Sequence, residues 1–319
     1  MTNLTAPQLT NEDKAREYLE ALRWPEGPFC PHCGSLNAKR LPAQRGRPTK
    51  ANPEGALRSG VVQCRDCRKQ FSVTVGTVFE GSKVPLHKWL LATHLLCASK
   101  KGMSAHQLHR MLKITYKTAW FMFHRIREAM RDESGEQFGG AGGTVEIDET
   151  YIGRDRTKEQ KAGGSSHKMK VLTLVDRETG RARSVTFDNF RKEEVGPIVR
   201  QNVAREAVLM TDEALIYRGL AVAHAGHNVV THGKGEYVSR DDATVHTNTI
   251  EGFFSIFKRG MKGVYQHCGK QHLHRYLAEF DFRYSNRVAC GVDDASRADL
   301  ALKSIAGRRL FYRRPHFAA

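Results

Sequence analysis

Four cysteines in two short pairs, Cys30-Pro31-His32-Cys33 and Cys64-Arg65-Asp66-Cys67, constrain this chain more than any other feature. Two residues between paired thiolates let both sulfurs reach one ion from a single tight turn, and two such turns complete a tetrahedral shell. The spacing predicts a zinc ribbon in which Cys30, Cys33, Cys64 and Cys67 hold one structural Zn²⁺, with strand-like VVQC and QFSVTV flanking the second pair. Four protein ligands leave no open coordination position, so this metal is expected to hold the fold rather than perform chemistry. The other cysteines, Cys97, Cys268 and Cys290, follow no spacing and read as unpaired thiols, which points to a reducing compartment.

Charge narrows the partner. Across 319 residues, 51 Lys and Arg stand against 34 Asp and Glu, a net charge of +17. A globular chain this basic is suited to a polyanion, most often nucleic acid. No apolar run approaches the ~20 residues that a membrane-spanning helix needs. The first residues, MTNLTAPQLTNEDKAR, lack a basic-then-apolar signal layout, so a cytoplasmic protein is expected.

The N-terminal half reads as the basic, helical part. TNEDKAREYLEALR (10–23) predicts a helix capped near Thr10 or Asn11. Between the cysteine pairs, Gln44–Lys50 forms a basic loop whose Arg45-Gly46-Arg47-Pro48 has two readings. It is either an AT-hook-like arm for the minor groove or a solvated loop making unspecific phosphate contacts. Helices are predicted over Leu86–Ser99, Ser104–Leu112 and Thr115–Met130. The brief connection between the last two suggests a helix-turn-helix, with Tyr116, Lys117 and Arg125 as DNA contacts. An ordinary helical hairpin with Trp120, Phe121 and Phe123 as core remains the alternative. Arg131–Gly143, charged and then glycine-rich, reads as a linker.

Beyond it the pattern changes to strands: Thr144–Thr150, Lys170–Asp176, Ala182–Phe187 and Val208–Asp212, with a hairpin turn at Arg177–Gly180 and a helix over Glu193–Arg205. A late helix covers His272–Tyr284, and Arg308, Arg309, Arg313 and Arg314 make a basic end. The expected fold is α/β, a mixed sheet with flanking helices behind a ribbon and a helix-turn-helix. The expected partition is 1–80, 81–132, a linker 133–143, a catalytic domain 144–290 and a tail 291–319.

Three acids stand out in that second half. Asp148 and Asp212 are the first charged groups after apolar strands, although turn aspartates are common there too. In HTNTIEGFFSIFKRGMKG (246–263), Ile250, Phe253, Phe254, Phe257 and Met261 fall on one side of a helix, and Glu251, Ser255, Lys258 and Lys262 on the other. Asn248 with Glu251 also fits a capping box. Phosphodiester chemistry by two metal ions needs carboxylates that converge from separate elements on cations about 3.5–4 Å apart, which Asp148, Asp212 and Glu251 would supply.

Asp148 in IDETYIG, Asp212 in LMTDEALIY and Glu251 in HTNTIEGFFSIFKRGMKG resemble the triad of the DDE transposases. With the CPHCG…CRDC…FSVTVGTVFEGS ribbon in front, the chain resembles bacterial insertion-sequence transposases of the IS fifteen-ninety-five (ISXO-like) group. That resemblance implies an RNase H-like core and two Mg²⁺ ions, replaceable by Mn²⁺, held by Asp148, Asp212 and Glu251. It also implies cutting and joining of double-stranded DNA at the element's own ends, with the chain at least a homodimer on DNA. Lys258 matches a basic residue set against DNA, Lys262 lies one turn further on, and His246 and Asn248 fall where substrate or ligands are oriented. A shifted register would bring Glu149, Glu213, Glu236, Asp241 or Asp242 into the site instead. A DNA-binding regulator with an inactive second half and a plain nuclease are the rival readings. The histidines His224, His227 and His232 suggest either a further metal site or loop residues near DNA.

Overall fold

The computed structural model describes residues 4–50, 52–55, 57–160, 164–234 and 238–311; Glu236, Arg313 and Arg314 lie outside them. The described chain forms two compact units. The first takes in the residues up to Ala98, Ala105–Ala129 and those from Ala298 onward; the second takes in Ser99–Ser104 and Met130–Arg297. No helix among the described residues is long and apolar enough to cross a membrane.

The first unit begins with a short helix, α1 (Pro7–Thr10), followed by α2 (Glu12–Arg23). Asn11 caps α2, its side chain accepting from the backbone N–H groups of Asp13 and Lys14 at 3.0 Å each. Five short strands follow: β1 (Ala38–Arg40), β2 (Gln44–Arg45), β3 (Leu57–Arg58), β4 (Val62–Cys64) and β5 (Gln70–Phe71). They pair antiparallel as β1-β4-β5 and β2-β3. The Arg45 loop is therefore a small hairpin, and Arg45 is tied to Glu54 at 2.9 Å. Three helices complete this part: α3 (Leu86–Ala98), α4 (Ala105–Leu112) and α5 (Tyr116–Ala129). Three residues join α4 to α5. Lys113 takes a left-handed φ of 50°, and the Thr115 hydroxyl accepts from Thr118 N at 3.2 Å to start α5.

The second unit is built on β6 (Thr144–Ile152), β7 (Met169–Asp176), β8 (Ala182–Phe187), helix α6 (Lys192–Asn202), β9 (Val208–Asp212) and β10 (Gly226–Val230). The sheet order is β10-β9-β6-β7-β8, with the β6–β7 and β7–β8 pairs antiparallel and the β6–β9 and β9–β10 pairs parallel. On one face, Val145, Ile147, Leu172, Leu174 and Leu209 pack against Val195 and Val199 of α6. On the other lie α7 (Asn248–Gly260), a π-helical turn over Met261–Tyr265, and α8 (Lys270–Ser285). There Ile250, Phe253, Phe254 and Phe257 pack on Ile152, Met169, Val171 and Val175. Gly260 permits the close approach of α7 to α8, because a Cβ there would lie 2.4 Å from the Phe280 ring. The last helix, α9 (Asp294–Lys303), crosses from the second unit into the first.

Three expectations change. The linker is not free chain: Phe138 is 2% exposed, belongs to the core under α6 and bridges to Val203. A single aromatic among charges and glycines carries no periodicity, so its burial left no pattern to read. The tail is not a tail: Ala301, Leu302 and Ile305 are buried, and Thr77 pairs with Ala306. Finally, Thr247 rather than Asn248 is the N-cap of α7, with no side-chain cap bond, so the capping box does not form.

The aromatic packing beneath α7 sets a stability expectation. Phe257 is fully buried and meets Phe280 edge to face with ring centroids 5.2 Å apart. Phe257→Ala should cost about 3–5 kcal/mol, read as a lower urea midpoint for the second unit at unchanged slope.

Candidate active site

The register of β6 explains how the acidic groups meet. β6 pairs with β9 only over Thr144–Glu146 against Val208–Met210. Past Glu146 and Met210 the strands are no longer paired, and Asp148 and Asp212 each come two residues later. The carboxylates of Asp148, Glu149 and Asp212 come together there, their oxygens all within 4.8 Å of one another. Asp148 and Glu149 are sequence neighbours and so leave β6 on opposite faces. Glu149 is fixed by Tyr217, whose hydroxyl donates to its Oε2 at 2.5 Å. Asp212 Oδ1 accepts from Ala214 N at 3.0 Å.

These groups resist ionisation together. Burial pushes Asp148 up to about 8, with the charges of Glu149, Asp212 and Glu251 adding to the effect. Burial likewise raises Glu149 to about 7, against the opposing Tyr217 hydrogen bond, and it raises Asp212 as well. Three half-buried oxygen-donor groups that repel one another match what a hard divalent cation requires.

Glu251 stands apart from the tight cluster, but its charge reaches Asp148. It lies in the first turn of α7, 3.7 Å from His232 Nε2. His232 follows β10, and its backbone N–H and that of Gly233 both donate to Glu213 at 2.8 Å. His227 instead pairs with the Thr211 hydroxyl at 2.8 Å, and His224 lies against the carbonyl of Ala204, so the three histidines form no common site.

The N-terminus of α7 is held by a residue that periodicity alone does not single out. Glu146 is completely buried, and its Oε2 accepts from Ile250 N at 2.8 Å. Arg177 Nε donates to Glu146 Oε1 at 2.6 Å, and the rest of the guanidinium spans the carbonyls of Thr244 and His246. His246 Nδ1 lies 3.4 Å from the same Glu146 oxygen. A carboxylate at a helix start satisfies free N–H groups and opposes the helix dipole. Glu146 lies two residues before Asp148 on the same face of β6, so this clamp ties the helix of Glu251 to the strand of Asp148. The shared face of Glu146 and Asp148 at period 2 was the available signal.

The remaining expected contacts divide. Tyr116 and Lys117 are exposed at the start of α5, and Tyr116 stacks on His106 with ring centroids 4.3 Å apart. Arg45, Arg47 and Lys262 are exposed. Lys258 is half-buried, with Nζ 5.6 Å from the Phe254 ring. Arg125 is corrected: it is 6% exposed, donates to the carbonyl of Glu80 at 2.6 Å and lies over the Trp89 ring. Its basic neighbours suggested a DNA-facing side, but its position on α5 turns it inward.

In the first unit, Cys30 and Cys67 sulfurs lie 3.6 Å apart, as do those of Cys33 and Cys64. Sulfurs around one tetrahedral zinc at ~2.3 Å are separated by roughly 3.8 Å, so the four fit that ion. The Cys67 N–H donates to the Cys64 sulfur at 3.5 Å.

Residues 140–285 match the ISXO2-like transposase domain, and residues 10–70, with all four cysteines, match the transposase zinc-ribbon domain. The chain carries a transposase zinc ribbon followed by an ISXO2-like transposase domain. A relative described as an uncharacterized protein in transposable element ISH50 of Halobacterium salinarum is 28% identical over 291 residues, covering 86% of this chain and 90% of that protein. Among solved structures, a chain from a simian T-cell lymphotropic virus intasome in complex with PP2A regulatory subunit B56 gamma aligns over 55% of this chain and 67% of its own. Its identity is 13% and its TM-score 0.29, too low to carry an argument. The transposase domain match spans Asp148, Glu149, Asp212 and Glu251 alike.

Two expectations follow. A carboxyl held at about 8 when folded, against an ordinary value near 4, favours the folded state at acid pH and loses that contribution as pH rises through 8. Calorimetry of zinc-loaded, magnesium-free protein should show the transition of the second unit falling from pH 5 to 8.5. Asp148→Asn should flatten that fall and raise the midpoint at pH 8.5 by a few degrees. Separately, Glu146→Gln should keep the fold at 20 °C but raise the Mg²⁺ concentration needed for half-maximal thermal stabilisation about tenfold or more.

Proposed function

We propose that this transposase cuts and joins double-stranded DNA at the ends of its own mobile element, using divalent cations held at the β6–β9 cleft. The observation that carries the reading is the gathering of Asp148, Glu149 and Asp212 oxygens within 4.8 Å, where burial and mutual repulsion hold them back from ionising. Such a cluster is unfavourable by itself and becomes favourable around a bound cation.

Asp148 and Asp212, with Glu149 or Glu251 completing the set, would hold a pair of Mg²⁺ ions, for which Mn²⁺ would substitute. What those ions supply is Lewis-acid stabilisation of charge on the attacking and leaving oxygens of an in-line displacement. Tyr217 fixes the rotamer of Glu149 by its hydrogen bond, so that carboxylate is pre-set. The Glu146–Arg177 clamp sets α7 against β6 and so fixes where Glu251 can reach. Lys258, two turns beyond Glu251 on the same helix, would receive a backbone phosphate next to the scissile one. The ribbon hairpin with Arg45 and Arg47, and the start of α5 with Tyr116 and Lys117, would engage the inverted repeats, α4 and α5 acting as a helix-turn-helix. Because two element ends are handled together, a homodimer or larger assembly on DNA is part of the proposal.

The test is cleavage and strand transfer of a duplex carrying the inverted repeats that flank the reading frame. Asp148→Asn and Asp212→Asn should each lower the Mg²⁺-dependent rate on the order of 10³-fold while gel-shift affinity stays within about threefold. Glu149→Gln and Glu251→Gln, assayed side by side, identify the third ligand: the true ligand loses rate like Asp148, the other by about tenfold or less. Full activity in Asp148→Asn with an intact fold would sink the reading.

A further inference from the structure

In the connection from β6 to β7, the described residues 153–160 and 164–168 are pinned to each other. Asp155, 2% exposed, donates its N–H to the carbonyl of His167 at 2.7 Å. Its Oδ1 accepts from Thr157 N and Oγ1, and its Oδ2 lies 3.0 Å from Lys270 Nζ in the first turn of α8. The pinned loop brings Lys158 and Lys168 to a pocket shared with Lys170 and Lys270. Lys158 and Lys170 both donate to the one carbonyl oxygen of Asp188, at 3.2 and 3.0 Å, while Lys270 meets the Asp188 carboxylate at 2.5 Å.

A purely structural ion-pair network balances its charges, and this pocket does not. Four lysines line it against the two acids Asp155 and Asp188. Lys170 is more than nine-tenths buried, so its crowding with Lys158 is only weakly screened. Charge-assisted hydrogen bonds to an oxyanion with several acceptor oxygens would offset that repulsion.

We propose that Lys158, Lys168, Lys170 and Lys270 form a phosphate-binding pocket for the backbone of the DNA substrate, separate from the carboxylate cleft. The proposal rests on the reading above that DNA is the substrate. Asp148 stands opposite Thr173 on β7, whereas Lys170 pairs with Tyr151 and leaves the sheet on the other face, so the pocket is distinct from the carboxylate cleft. Asp188 partly neutralises the pocket and limits its grip.

The experiment measures binding of a fluorescent random-sequence duplex of about 30 base pairs to the full zinc-loaded chain across a NaCl series. For every phosphate that the protein no longer neutralises, the slope of log affinity against log salt falls by about one. Lys168→Gln/Lys270→Gln, at two exposed positions, should reduce the slope by about two and weaken binding at least tenfold at moderate salt. Asp188→Asn should do the reverse and tighten binding several-fold, a gain that a damaged fold cannot imitate. An unchanged slope in the double variant, or weaker binding in Asp188→Asn, overturns the proposal. Asp148→Asn is the control that separates the two readings: it should lose cleavage and keep the full slope. A pocket effect without any cleavage by the unsubstituted protein would leave this site standing and reject the cut-and-join reading.

Discussion

The candidate site depends on the point where β6 and β9 stop pairing. Up to Glu146 and Met210 the two strands share a parallel ladder, with Val145 and Leu209 in the core under α6 and Met210 in a small cluster with Val230 and Val245. Past that point Asp148, Glu149 and Asp212 occupy the gap that a continued ladder would have filled. A gap lined by three mutually repelling carboxylates is an unstable feature to hold between two strands of one sheet. It is tolerable because the surrounding packing is strong: Phe253, Phe254 and Phe257 of α7 bind the helix to the sheet with little dependence on pH or ions. The apolar face of α7 thus carries the stability, and its polar face is left free to carry chemistry.

Within that arrangement Glu146 works differently from its neighbours. It too is an acid in a buried place, but both its oxygens have donors: Ile250 N on one and Arg177 on the other. A buried carboxylate so satisfied is a fastener, whereas Asp148 accepts only from the neighbouring Glu149 N and lies among other acids, as the proposed cation site requires. The difference between a structural and a reactive carboxylate two residues away is therefore a difference in hydrogen-bond supply. His246, expected to orient substrate or ligands, lies on the fastener side of that division.

Much of the fold was legible because its elements obey their periods. The alternation in Thr144–Thr150, the apolar runs of Lys170–Asp176 and Val208–Asp212, and the helical spacing of Ile250, Phe253, Phe254 and Phe257 each state what they bury. Strand β10, GHNVV, was not legible, since one buried residue, Val230, gives no pattern and parallel pairing with β9 supplies its reason to exist. Phe138 and α9 escaped for a related cause: each is held by partners far away in sequence, Phe138 by the core under α6 and α9 by the Tyr18 hydroxyl on Asp299. Arg125 misled in the opposite sense, because charge suggests solvent while Trp89 and the Glu80 carbonyl offer it a satisfied interior place.

The site was legible in its aspartates and less so in its glutamates, and the physical reason is reach. An aspartate's carboxyl stays close to its backbone, so the middle of β6 and the end of β9 nearly fix where Asp148 and Asp212 point. A glutamate has one more rotatable bond, and its position is decided by whatever holds its tip. Tyr217 draws Glu149 to the cleft although it leaves β6 on the opposite face from Asp148, and His232 stands beside Glu251 at the start of α7. Both partners lie on irregular segments whose own placement depends on the sheet. Hence a third ligand drawn from either glutamate is a property of the tertiary structure, and choosing between them from spacing alone has no physical basis.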